Sequence, residues 1–90
     1  FMLSQNYPNP FNPITTIDFI LEKNENIQLN IYDINGRIIN SLLSGYILSG
    51  SYSITWDGKN QDGKNMPSGV YIYQLISPSY TASNKMILLR

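Results

Sequence analysis

The chain has 90 residues, six basic and six acidic side chains, and neither Cys nor His. That length fits one domain and not two. A net charge of zero leaves no electrostatic footprint for nucleic acid or for an anionic membrane. Without thiols and imidazoles, the chain also lacks disulfides, imidazole bases and nearly every zinc or copper site, so no cofactor is expected.

No apolar run approaches the roughly 20 residues of a membrane helix. Phe1-Met2-Leu3 is too short for a signal peptide, so export would depend on a signal elsewhere on a longer parent. A domain this small buries only about 60% of its unfolded surface, so without disulfides its packing must be dense.

Composition points to strands. One Ala and two Glu stand against thirteen Ile and seven Tyr, and Gly or Pro interrupts most segments. Tyr7 to Pro13 is an extended lead-in, because each Pro fixes its own φ and pushes the residue before it toward extended geometry. Ile14 to Leu21 alternates Ile17, Phe19 and Leu21 with wetter positions, which predicts a half-buried strand. Lys23 to Asn26 is a polar turn. Ile27 to Tyr32 alternates more cleanly, and Asp33-Ile34-Asn35-Gly36 then turns a hairpin into Arg37 to Leu43. Ser44 to Ser51 is expected as a loop. Tyr52, Ile54 and Trp56 form one face of the next strand. Asp57 to Ser68 is a polar loop with two Asp-Gly turns. Gly69 to Ile76 is a strand that turns Tyr71, Tyr73 and Leu75 to the core, and Tyr80 to Arg90 closes the sheet. Six or seven short strands divided by turns predict an antiparallel sandwich.

Four blocks carry a family likeness. They are Asn6-Tyr7-Pro8-Asn9-Pro10-Phe11-Asn12-Pro13 with Thr15-Thr16; Ile31-Tyr32-Asp33-Ile34-Asn35-Gly36-Arg37; Trp56-Asp57-Gly58, Gly63 and Pro67-Ser68-Gly69-Val70-Tyr71; and Asn84-Lys85-Met86-Ile87-Leu88-Leu89-Arg90. In this order, running from about Leu3 to Arg90, they resemble the C-terminal sorting domain of type IX secretion cargo, which is related to the immunoglobulin-like domain of flagellar hook-capping proteins.

The resemblance implies an all-β, antiparallel immunoglobulin-like β-sandwich of about seven short strands, with residues 1–8 as a lead-in and 9–90 as the domain. It also implies a non-catalytic sorting signal that takes a secreted parent through the type IX outer-membrane translocon to the cell surface or the medium. Expected partners are that translocon and a surface peptidase, with no nucleic acid, and the domain itself is expected to be a monomer. Carried over residue by residue, translocon recognition falls to Gly69, Val70, Tyr71, Lys85, Met86 and Arg90. Arg90 stands where Lys is usual, which keeps the charge but changes the geometry. Any cleavage would fall near or before Leu3.

Plainer readings stand beside these. Gly69-Val70-Tyr71 also reads as a simple strand entry. Lys85 to Arg90 is either a central strand buried on both faces or an edge strand offering its backbone to a receptor. Asp57 to Gly63 has the oxygens of a calcium loop, but Lys59 intrudes and no closing Glu follows, so two turns are the better account.

Seven aromatics (Tyr32, Tyr46, Tyr52, Trp56, Tyr71, Tyr73 and Tyr80) serve the core or, less economically, a sugar-stacking platform. Tyr32 is the best exposed candidate for such a platform, on which the alternative of an accessory carbohydrate-binding or structural module rests. Asn6 to Pro13 lacks the spacing of a polyproline ligand and reads as a stiff strand capping the sandwich. Of the six carboxylates, Asp33, Asp57 and Asp62 sit at turns, and no motif supports a Ser nucleophile, so no catalytic residue is assigned.

Overall fold

Alternation of β-branched and aromatic side chains with polar ones turns short segments into strands that must bury one face. The computed structural model describes residues 1–90 and contains seven of them: β1 Met2–Leu3, β2 Thr15–Leu21, β3 Glu25–Asp33, β4 Ile38–Ile47, β5 Gly50–Trp56, β6 Gly69–Ile76 and β7 Thr81–Leu88. One sheet has the order β1-β2-β5 and the other β4-β3-β6-β7. All pairings between these strands are antiparallel.

The core lies between the sheets. Ile17, Phe19 and Leu21 of β2 and Trp56 of β5 meet Ile27, Leu29 and Ile31 of β3, Tyr71, Tyr73 and Leu75 of β6, and Met86 and Leu88 of β7. Each aliphatic side chain buried in this way contributes roughly 1.5–3 kcal/mol, and the aromatics fill the volume a disulfide-free sandwich needs.

The Asp33–Gly36 turn closes as its residue types predict. Asp33 Oδ1 accepts the N–H groups of Asn35 at 2.9 Å and Arg37 at 3.0 Å, and Gly36 adopts a φ of +83°. Partial desolvation raises the Asp33 pKa, but these N–H groups and the Arg37 guanidinium outweigh it, and the net shift is downward.

Three expectations are corrected. Ser44 to Ser51 is not a loop: β4 runs on to Ile47, because Gln28↔Ser44, Ile27↔Gly45, Asn26↔Tyr46 and Glu25↔Ile47 continue the ladder. Leu48 and Ser49 alone link it to β5, and Asn24 Oδ1 accepts the Ser49 N–H at 2.8 Å.

Residues 1–8 are not a free lead-in. Met2 and Leu3 pair with Ile20 and Phe19, and Asn6 is buried. Tyr73 in the core supplies hydrogen-bond partners that extended polar backbone can satisfy. Nor is Asn6 to Pro13 a strand; its only ladder pairings with the sheets are the isolated bridges Tyr7↔Thr16 and Phe11↔Leu88.

Candidate functional site

The four sequence blocks converge on one end of the sandwich. Phe11 is buried against Trp56, with ring centroids 5.7 Å apart, and Trp56 meets Tyr71 edge-on at 5.3 Å. The Trp56 indole N–H donates to Lys59 O at 2.9 Å, and the Tyr71 hydroxyl to Pro67 O at 2.7 Å. These two bonds tie the 57–68 loop to the aromatic core. Asp33, from the second block, stands opposite Tyr71 in the ladder. Arg90 closes the group. Its guanidinium donates to Gly58 O at 2.7 Å and to Met66 O, and its backbone N–H to Ser68 Oγ at 2.8 Å. Burial raises the Tyr71 pKa; Arg90 opposes this, Asp33 adds to it, and the net shift is upward.

The six predicted recognition residues divide by location. Val70 and Lys85 are exposed on the outer face of the four-stranded sheet, and Gly69, half-exposed, pairs with Leu88 at the strand entry. Tyr71 and Met86 face each other inside the core, and Arg90 is the clamp just described.

Neither reading of the ending holds as stated. β7 is an edge strand, not a central one: Met86 and Leu88 are fully buried, whereas Ile87 is 39% and Leu89 52% exposed. Nor is its edge open over 85–89. Gln5 Nε2 donates to Lys85 O at 2.8 Å, and Asn9 Oδ1 accepts the Ile87 N–H at 2.9 Å. Phe11 donates to Ile87 O and accepts from Leu89 N, both at 2.9 Å. The buried ring of Phe11 brings its backbone against the strand, so the chain pairs its own edge. Sequence reasoning missed this use of Phe11, although a lone large apolar residue among Pro and Asn was a signal for burial.

The 57–68 loop is built from turns. Asp57 Oδ1 accepts the Lys59 N–H at 3.1 Å, and Asn60 Oδ1 accepts those of Asp62 at 3.0 Å and Lys64 at 2.9 Å. Gly58 and Gly63 take φ values of +75° and +83°. The fold brings no three His, Cys, Asp or Glu side chains together.

The aromatics also differ from expectation. Tyr32 is half-buried, and its hydroxyl accepts from Asn30 Nδ2 at 3.1 Å. Tyr7, Tyr46 and Tyr80 are the exposed ones, Tyr46 on β4 and the other two in connecting segments, and Tyr80 stacks on Phe1.

Two packed antiparallel sheets of short strands, with an aromatic and backbone-clamped end, define an immunoglobulin-like β-sandwich. Residues 14–78 match the FlgD Ig-like domain family, and the chain belongs to it. It is 35% identical over 60 residues to the basal-body rod modification protein FlgD of Salmonella typhimurium, an alignment covering 67% of this chain and 24% of that protein. This chain thus spans about a quarter of the curated relatives it matches.

Among solved structures, dimeric latent PorU from Porphyromonas gingivalis superposes with a TM-score of 0.74 at 25% identity, covering 94% of this chain and 9% of PorU. FlgD of P. aeruginosa gives 0.62 at 28% identity over 83% of this chain and 59% of that one. PorZ, described as an essential bacterial surface component of the type-IX secretion system of P. gingivalis, shares the fold at a TM-score of 0.63 and 24% identity, covering 96% of this chain and 11% of PorZ.

Proposed function

We propose that this chain is a non-catalytic C-terminal sorting module, read in its folded state by the type IX outer-membrane machinery on a secreted parent bound for the cell surface or the medium. One observation carries the reading. The four blocks that resemble sorting domains are far apart in sequence, yet they assemble into one structure around Trp56, Tyr71 and Arg90. A signal spread over such an assembly is intact only when the domain is folded. The occurrence of this fold in a surface component of the type-IX system supports the same reading.

The test is a fusion of the whole chain to a periplasmic reporter in a type IX host. Deleting Lys85 to Arg90 is a poor variant, because it removes Met86 and Leu88 from the core along with the signal. Arg90→Ala and Lys85→Ala keep the core. The expected result is surface delivery of the wild-type fusion and reduced delivery of one or both folded variants. A wild-type fusion left in the periplasm would refute the sorting role.

The likeness to the rod modification protein favours a second reading, a structural module of an extracellular assembly. That reading predicts a reporter that stays behind while the domain remains folded.

A further inference from the structure

The two sheets present unlike outer faces. On the three-stranded sheet the outward positions are Met2 of β1, Thr16, Asp18 and Ile20 of β2, and Ser51, Ser53 and Thr55 of β5, so its large apolar side chains are the single neighbouring pair Met2 and Ile20. The outer face of the four-stranded sheet is banded. The register places Ser41, Asn30, Gln74 and Ser83 in one row across all four strands. The neighbouring row is Ile38, Tyr32, Ile72 and Lys85, and beyond it Val70 pairs with Ile87.

Ile38 is 54% exposed, and Val70 and Ile87 are each 39% exposed. Scattered exposed hydrophobics are normal on any protein; a run that crosses a whole sheet beside a polar band is not. Lys85 ends the row with its ammonium in no ion pair, since the only salt bridges are Phe1 with Glu22 and Arg37 with Asp33. A cation beside an apolar surface favours a partner that is apolar and carries a negative charge. Backbone pairing along 85–89 is already taken by residues 5–11, so side chains are what the ending offers.

We infer that this apolar row is the docking surface for the sorting receptor, and that the receptor presents an apolar protein surface with a carboxylate opposite Lys85. The inference rests on the sorting reading and names the face that reading uses. Val70 and Lys85 touch the receptor directly; Tyr71 and Met86 hold the sheet beneath them.

The experiment uses the full chain fused to a reporter in a type IX host, with Ile87→Ser, Lys85→Glu and Lys85→Arg compared against Ile20→Ser. Ile20 is matched in exposure, at 41%, and lies on the other sheet. Circular dichroism and thermal melting of each purified domain establish folding, and sedimentation establishes its oligomeric state. Ile87→Ser and Lys85→Glu are expected to lower surface delivery about tenfold, the effect of losing one well-placed contact. Lys85→Arg and Ile20→Ser are expected to leave it unchanged.

If the wild type is delivered and folded Ile87→Ser and Lys85→Glu are delivered equally well, the face is wrong while sorting stands. Equal loss from Ile20→Ser also overturns the face. A wild-type dimer that Ile87→Ser dissociates would make a second copy the occupant and overturn receptor docking. A wild-type fusion that is not delivered sinks the sorting reading and this inference with it.

Discussion

The hydroxyl of Tyr73, in the middle of β6, accepts the backbone N–H of Asn6 at 2.8 Å. The same hydroxyl donates to Ser4 O at 2.6 Å and receives Asn84 Nδ2 at 3.3 Å. One phenol thus fastens the first residues to the four-stranded sheet. Asn6 in turn donates through Nδ2 to Thr15 Oγ1 at 2.9 Å, which carries the link to the other sheet. Tyr73→Phe keeps the ring and strands a buried N–H, so it should cost about 1–3 kcal/mol. The checks are the urea midpoint and faster amide exchange at Asn6, with little change on β5.

The same phenol predicts an alkaline weakness. Burial raises the Tyr73 pKa above its ordinary 10.0, while the bonds from Asn84 and Asn6 oppose the rise without cancelling it. Its folded pKa therefore exceeds the unfolded one, and the unfolded chain releases the proton first. Stability is then full below pH 10.0 and falls as pH climbs from there through the folded value. Tyr71 acts in the same direction. Denaturant midpoints measured from pH 8 to pH 11, at roughly half-unit steps, should stay flat and then decline, and Tyr73→Phe should decline less steeply. A midpoint that rises above pH 10.0 would refute the assignment.

Gly58 is held by its neighbours. Its φ is +75°, and an added Cβ would lie 2.7 Å from Arg90 Nη2 and 3.3 Å from Pro13 O. Gly58→Ala should therefore cost about 1–3 kcal/mol from backbone strain and crowding together. The guanidinium can swing away, but the Pro13 carbonyl is backbone. In a double-mutant cycle, adding Arg90→Ala should recover only part of the loss, so the two changes should be less than additive. Full additivity in thermal melts would mean that Arg90 does not rest on Gly58 in solution.

Much of the fold was readable because alternation is a local property. Ile17, Phe19 and Leu21, like Tyr71, Tyr73 and Leu75, declare a buried face from spacing alone, and Trp56 does so in step with Ile54 and Tyr52. What failed depends on partners distant in sequence. β4 continues past Leu43 because β3 keeps pairing with it, and nothing within Ser44 to Ile47 announces that. Residues 1–8 pack because Tyr73 waits for them 67 positions away. The candidate site was legible as four blocks but not as a shape. Sequence could not reveal that Met86 supports the sheet while its neighbour Lys85 faces out, nor that Tyr32 completes a row between Ile38 and Ile72.

Phe11 tests whether the covered edge of β7 matters. Its side chain is 2% exposed, and its backbone makes both hydrogen bonds that pair Ile87 and Leu89. Phe11→Ala removes a large ring from beside Trp56 and should cost about 3–5 kcal/mol, much of what a small domain has. The anchor for residues 5–11 goes with it, leaving donors and acceptors of an edge strand unpaired. Unprotected edges recruit strands from other molecules. Phe11→Leu refills most of the volume and keeps the backbone in place, so it should cost less and leave the edge covered. Under conditions where all three proteins remain folded, light scattering should rise with concentration for Phe11→Ala and stay low for Phe11→Leu and the wild type. Equal scattering from the two variants would tie aggregation to lost stability instead of the bared edge.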